Sequence, residues 1–176
     1  LGIGTEGVEE EIKKNFPKTK ILKIDKESAK TNAGAIKIIK NFENEEGAIL
    51  IGTEMAFHYM TRKVDLSIIA SFDSLWSIPN FKMSEKILHI IFSTISNTTK
   101  KLVIQTKNEK DEILKSINNE SILNFVREEL QDRKNLNYPP YKRFIKISYI
   151  GDKESTYVAK KELQETFKEY NPEIFG

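Results

Sequence analysis

The sequence predicts an α/β protein, a parallel sheet flanked by helices, over its 176 residues. Two observations carry that expectation. The runs Gly47-Ala48-Ile49-Leu50-Ile51 and 64–71 are apolar without strict alternation, the pattern of strands covered on both faces. Helical stretches separate the strand-like runs, and strands alternating with helices imply right-handed βαβ units.

Taken in order, Thr5 is a candidate N-cap for a helix through Phe16, with Glu9, Glu10 and Glu11 toward its positive end and Pro17 beyond it. Residues 20–24 form a short alternating strand. Residues 32–42 are helical, with Ile36, Ile38, Ile39 and Phe42 at the apolar positions. The strands 47–51 and 64–71 follow, then a helix over 81–97, a strand over 102–106 and helices over 110–137. A last unit reads as a strand over 141–150, a turn at Gly151-Asp152, a helix over 154–170 and a strand starting near Glu173.

Composition narrows the function classes. Lys and Arg total 28 against 26 Asp and Glu, a net charge of +2, so any polyanion surface must come from local clustering. There is no cysteine, which excludes a disulfide framework and a cysteine zinc site within these residues. No apolar run reaches the roughly 18 residues of a membrane span, and no signal peptide is apparent, so a soluble, cytoplasmic chain is expected. The sequence reads as a piece of a longer protein.

One stretch concentrates charge and aromaticity. A charged helix meets Pro139 and Pro140, which cannot donate backbone hydrogen bonds, and must end by about Asn137. From Arg133 to Tyr149 there are five basic residues and no acidic one, interleaved with Tyr138 and Tyr141. Arg133, Lys134, Tyr138, Tyr141, Lys142 and Arg143 are the candidate DNA-binding set, since phosphate and base contacts need cations and aromatic faces together. A structural corner with a solvated basic rim is the alternative. Gly4-Thr5 and Gly52-Thr53 are candidate strand-end turns, where glycine allows close backbone approach and threonine can cap a helix or meet a phosphate. Ordinary strand-end turns explain them as well. No Gly-x4-Gly-Lys-Ser/Thr phosphate loop occurs. His58 and His89 lack ligands at metal spacing, so no metal site is expected; Asp65 and Asp73 read as strand-end caps and Trp76 as a packing residue.

The run Glu128-Glu129-Leu130, then Arg133-Lys134, Leu136 and Tyr138-Pro139-Pro140-Tyr141, closely resembles the C-terminal junction of the primosomal protein N′ (PriA) family of replication-restart helicases. Upstream, Gly4-Thr5-Glu6-Gly7-Val8-Glu9-Glu10-Glu11-Ile12, Ile51-Gly52-Thr53-Glu54-Met55, Pro79-Asn80-Phe81-Lys82-Met83-Ser84-Glu85-Lys86 and Ile104-Gln105-Thr106 resemble further blocks of that family, in its order. The resemblance implies a second RecA-like helicase lobe at 1–106, a helical connection at 107–137 and the start of a small α/β C-terminal domain at 138–176. It implies turns facing an ATP site with magnesium on a first lobe, and a zinc module, both outside this chain. It also implies DNA, forked or branched, and replication-restart proteins as partners.

The motor motifs are degenerate. Such motors use an arginine to neutralise charge on the transferred phosphoryl group. The family's Gln-x-x-Gly-Arg-x-Gly-Arg corresponds here to Ser93-Thr94-Ile95-Ser96-Asn97-Thr98-Thr99-Lys100, which has neither glycine nor arginine. Lys100 keeps a charge without the planar fork of arginine. The expectation is a DNA-binding replication-restart protein without its own ATPase or helicase activity and with no cofactor in this chain. The alternatives are an active ATP-dependent 3′–5′ helicase completed by an upstream lobe, and an α/β interaction module that does not bind nucleic acid.

Overall fold

The computed structural model describes residues 4–77, 80–170 and 172. It is a mixed α/β chain that divides into two compact units, Leu1–Glu128 and Glu129–Gly176. The first unit contains α1 (Thr5–Asn15), β1 (Ile21–Ile24), α2 (Asn32–Glu43), β2 (Ile49–Gly52), β3 (Val64–Ile69), α3 (Met83–Ser96), β4 (Thr98–Ile104) and α4 (Glu112–Asn118). Then come α5 (Ile122–Asn135) and, in the second unit, α6 (Lys153–Thr166).

All strand pairing is parallel, as the alternation of strands and helices predicts: β1 with β2 and β3 with β4. The described strands form two two-stranded sheets, so each strand has one unpaired edge. This differs from the interior strands expected at 47–51 and 64–71. β3 is also covered on one face only, since Leu66 and Ile68 are 52% and 60% exposed. Continuous apolarity does not say which face finds a partner.

Each strand pair carries its own core. Ile24, Ala35, Ile39 and Ala56 are buried together beside β1 and β2, with Ala35 and Ile39 one helical turn apart on α2. Thr31 caps α2 by accepting from the Gly34 N–H at 3.1 Å. Beside β3 and β4, Phe72, Ile87 and Ile91 are fully buried, and Ile113 of α4 joins them. Burying such a side chain stabilises by about 1.5 to 3 kcal/mol. Asp111 fixes α4 from both sides. Its Oδ1 accepts from the Ile113 and Leu114 N–H groups (3.0 and 3.2 Å), and its Oδ2 from Trp76 Nε1 at 3.1 Å. Trp76 is thus held as a packing residue, although 39% of it is exposed.

Two loops are fastened by carboxylates. Glu43, at the end of α2, accepts from the backbone N–H groups of Thr61 and Arg62 and from the Thr61 hydroxyl. Burial pushes its pKa up, but these donors and the nearby Arg62 charge hold it below the ordinary value. Asp73 accepts from the Thr106 hydroxyl and the Lys107 N–H, which links the segment after β3 to the segment after β4.

In the second unit, no strand forms over 141–150 and every residue there is exposed. A strand needs a ladder partner for its backbone groups, and none of the described residues supplies one. The strand expected near Glu173 lies outside the described residues. Helix α6 starts where its cap requires: Asp152 Oδ1 accepts from the Ser155 N–H at 2.8 Å.

Candidate functional site

The turn after β2 and the start of α1 share one edge. Gly52 ends β2 opposite Ile24, which ends β1, so Thr53 and Asp25 both follow strand C-termini on the same side. The Thr53 N–H donates to the Ile24 carbonyl at 3.3 Å. The Thr5 hydroxyl donates to Asp25 Oδ2 at 3.1 Å, which brings Gly4-Thr5 to that edge as well. Gly4, not Thr5, occupies the N-cap position of α1, because the Thr5 side chain is engaged by Asp25 instead. The C-terminal edge of a parallel sheet is where α/β proteins gather ligands.

Asp25 organises this edge. Its Oδ1 accepts from the Ser28 N–H (2.8 Å), the Ser28 hydroxyl (2.8 Å) and the Glu27 N–H (3.1 Å). Lys23 Nζ lies 3.9 Å from Oδ2 and 3.5 Å from Glu9 of α1. The Ser28 N–H leads in holding the Asp25 carboxyl below the usual aspartate range; the Ser28 and Thr5 hydroxyls and the Glu27 N–H add to it, against the opposing push of burial. The sequence reading missed Asp25. Its local signal was an aspartate at a strand end with a serine three residues on; its contact to Thr5, twenty residues away, has none.

Gly52 is where glycine is needed. A Cβ there would lie 2.8 Å from the Ile24 Cγ2 and 3.2 Å from both the Ile24 carbonyl oxygen and the Ala56 Cβ. Gly52→Ala is therefore expected to destabilise the first unit by about 1 to 2 kcal/mol through overpacking. Chemical denaturation followed by Trp76 fluorescence checks this, and an unchanged midpoint would refute it.

The α3–β4 junction is tight. Helix α3 ends at Ser96 and β4 begins at Thr98, with only Asn97 between. The polar side chains of this stretch are spent on closing it. Thr98 Oγ1 donates to the Thr94 carbonyl at 2.6 Å and Asn97 Nδ2 to the Ser93 carbonyl at 2.9 Å. Lys100 Nζ pairs with Asp65 Oδ2 at 2.7 Å, and Thr99 donates to Asp65 Oδ1 at the same distance. The Lys100 hydrogen bond leads in lowering the Asp65 pKa.

In the second unit the basic and aromatic corner divides into a buried and an exposed part. Helix α5 closes with a left-handed residue, Asn137 at φ 56°. The Tyr138 N–H donates to the Arg133 carbonyl (2.7 Å) and the Asn137 N–H to the Lys134 carbonyl (3.2 Å), the paired bonds of a Schellman cap. Arg133 is only 5% exposed, and its Nε and Nη2 both donate to Glu129 Oε1 at 3.2 and 3.1 Å. It faces a carboxylate one turn back, so it supports the corner and does not offer its charge to solvent. The sequence held the signal, Glu129 at i−4 from Arg133. Lys134, Lys142 and Arg143 are exposed, as are Tyr138 and Tyr141 at 36% and 48%. Without a ladder, Lys142 and Arg143 are both open to solvent. Among the described residues no three His, Asp or Glu side chains gather to hold a metal, and no helix is long and apolar enough to cross a membrane.

No family model matches the chain. Its relatives include proteins named replication restart protein PriA. That of Thermotoga maritima is 30% identical over 150 residues, covering 82% of this chain and 20% of the relative. That of Borreliella burgdorferi is 34% identical over 177 residues, covering 94% and 25%, and that of Chlamydia trachomatis is 28% identical over 158 residues, covering 85% and 21%. The parallel strand pairs and the shared turn edge define a mixed α/β chain. Among such chains it is PriA-like across most of its length. It spans about a fifth to a quarter of the length of these relatives.

Proposed function

We propose that this chain serves replication restart as a DNA-binding segment without self-sufficient ATP hydrolysis. The kinship with PriA proteins over 82% and 94% of the chain carries the reading. In it, residues 1–106 act as a degenerate RecA-like second lobe, 107–137 as a connection and 138–176 as part of a small α/β domain, working in the cytoplasm on forked or branched DNA and with replication-restart proteins. The common edge of Gly4-Thr5 and Gly52-Thr53 supports the lobe assignment. The tight α3–β4 junction without an arginine, and with Lys100 held by Asp65, supports the absence of phosphoryl transfer. The exposed cations Lys134, Lys142 and Arg143 support contact with DNA phosphates.

The expected result is that the purified chain releases no phosphate from ATP, with or without DNA, and binds forked DNA in a salt-dependent way. Lys142→Ala/Arg143→Ala, with Arg133 left in place, reduces the logarithmic salt slope by roughly 0.7 to 0.9 for each lost contact. DNA-stimulated phosphate release that Thr53→Ala abolishes would overturn the ATP half. Binding with no salt dependence, or none at all, would overturn the DNA half. In that event the exposed apolar residues of β3 and β4, Leu66, Ile68 and Val103, favour a protein-interaction module.

A further inference from the structure

Among the described residues, nothing pairs with the backbone N–H or C=O groups of residues 145–150, and every residue over 141–150 is exposed. Most of this stretch is large and apolar. Ile145 and Ile150 are 78% and 96% exposed, and Ile147 and Tyr149 are half-exposed. Both ends of the segment are fixed. At its start the Tyr138 carbonyl accepts from the Tyr141 and Lys142 N–H groups (3.0 and 3.3 Å), and at its end Asp152 caps α6. The Asp152 backbone is itself extended, at φ −68° and ψ 174°. Arg133 is the one buried side chain described in the second unit, so no apolar core there competes for these residues.

A β-prone segment of this kind becomes a strand when a ladder partner arrives, and its own sequence supplies one. Consider a second copy running antiparallel, with Ile147 opposite the partner's Ile147. Ile145 then faces the partner's Tyr149, and Phe144 the partner's Ile150, aromatic and β-branched side chains paired across the ladder. Lys146 meets the partner's Ser148, Arg143 the partner's Gly151 and Lys142 the partner's Asp152. Asp152 spends Oδ1 on Ser155, and its Oδ2 has no donor among the described residues. Other registers fail. Centring the axis on Lys146 sets that lysine against itself, and centring it on Ser148 sets Arg143 against the partner's Lys153. An axis between residues sets Ile147 against the partner's Lys146 or the partner's Ser148 and mixes the apolar and polar faces. Parallel pairing in register places Lys142, Arg143 and Lys146 each beside its own counterpart. Like charges directly opposite destabilise a ladder.

We infer that residues 142–152 dock on the same segment of a second copy of this chain, as an antiparallel ladder with its two-fold axis at Ile147. The contact uses the same patch on both copies, so it closes at a dimer. A two-stranded ladder is marginal by itself and the patch is small, so association is weak and reversible. The dimer goes beyond the DNA-binding reading and stands or falls without it.

The test is sedimentation equilibrium of the whole chain from about 1 to 200 μM, with hydrogen exchange measured at both ends of that range. The parent is expected to pass from monomer to dimer, and the amides of residues 144–150 to gain protection at every second residue as it does. Ile147→Asp and Ile147→Lys each remove the central apolar pair and set like charges opposite on the axis. Either alone should weaken dimerisation by about 100-fold or more. Ile147 is half-exposed and belongs to neither buried core, so both variants should keep the parental circular dichroism at low concentration. An equimolar mixture of the two should dimerise again, because aspartate then faces lysine. A parent that stays monomeric throughout would overturn the inference, as would an Ile147→Asp variant that dimerises like the parent. A mixture of folded variants that fails to recover the dimer would overturn the pairing about Ile147.

Discussion

Arg133→Ala is expected to destabilise the second unit by about 2 to 3 kcal/mol, the cost of removing a buried cation and its charge-assisted hydrogen bonds from a partly exposed carboxylate. The size follows from where the pair sits. Guanidinium and carboxylate are on one helix, four residues apart, with the glutamate N-terminal, an orientation worth only about 0.2 to 0.5 kcal/mol on an open surface. Here the Arg133 side chain is 6% exposed, so its guanidinium is held away from water, while Glu129 at 28% keeps partial access to it. The variant also opens a cavity under the helix end whose carbonyl receives the Tyr138 N–H. Arg133→Lys should rescue little, because a single ammonium does not reproduce Nε and Nη2 converging on one oxygen. Glu129→Gln should cost less than Arg133→Ala, since an amide oxygen still accepts both donors. The single tryptophan, Trp76, lies in the first unit. Far-ultraviolet circular dichroism should therefore show early loss of helix in Arg133→Ala, and the Trp76 signal reports on the first unit separately. Parental stability by both probes would show that the pair contributes no more than a surface contact.

That pair illustrates what the sequence disclosed and what it withheld. Element order and parallel pairing were legible, because apolar periodicity and the alternation of strand-like and helical runs are local. The end of α5 was legible too, since the prolines leave the helix nowhere to continue. Arg133 looked like a surface cation because charge clustering says nothing of burial; only its spacing from Glu129 hinted at pairing. The strand expected over 141–150 failed for a different reason. Alternation of Phe144, Lys146 and Ser148 with Ile145, Ile147 and Tyr149 gives β propensity, but a strand exists only with a ladder partner, which is a long-range property. The same limit hid Asp25. The turns at Gly4-Thr5 and Gly52-Thr53 could be found by pattern, yet the carboxylate that ties the first of them to the end of β1 depends on a contact that no window contains.

Asp25→Ala is expected to cost about 2 to 3 kcal/mol near neutral pH, because it strands the partly buried Ser28 and Glu27 N–H donors and releases Thr5. Asp25→Asn should cost less: its amide oxygen can still accept from Ser28, while the charge that strengthens every bond is gone. The pH dependence separates the two contributions. The folded-state pKa of Asp25 lies below its unfolded value, so the unfolded chain binds the proton more readily. The charge-dependent stability is therefore fully present above the unfolded value of about 3.9 and is lost as pH falls through the lower folded value. The gap between parent and Asp25→Asn should be constant from about pH 7 to pH 5 and narrow below about pH 4. Glu43, Asp65, Asp73 and Asp152 are also shifted downward and make the parent acid-labile in their own right, but they share no partner with Asp25, are common to both proteins and cancel in the difference. Urea denaturation followed by Trp76 fluorescence across that range measures the gap. A gap that stays constant down to pH 3 would mean that the Asp25 charge contributes nothing and that only the shape of its side chain holds α1 to the strand edge.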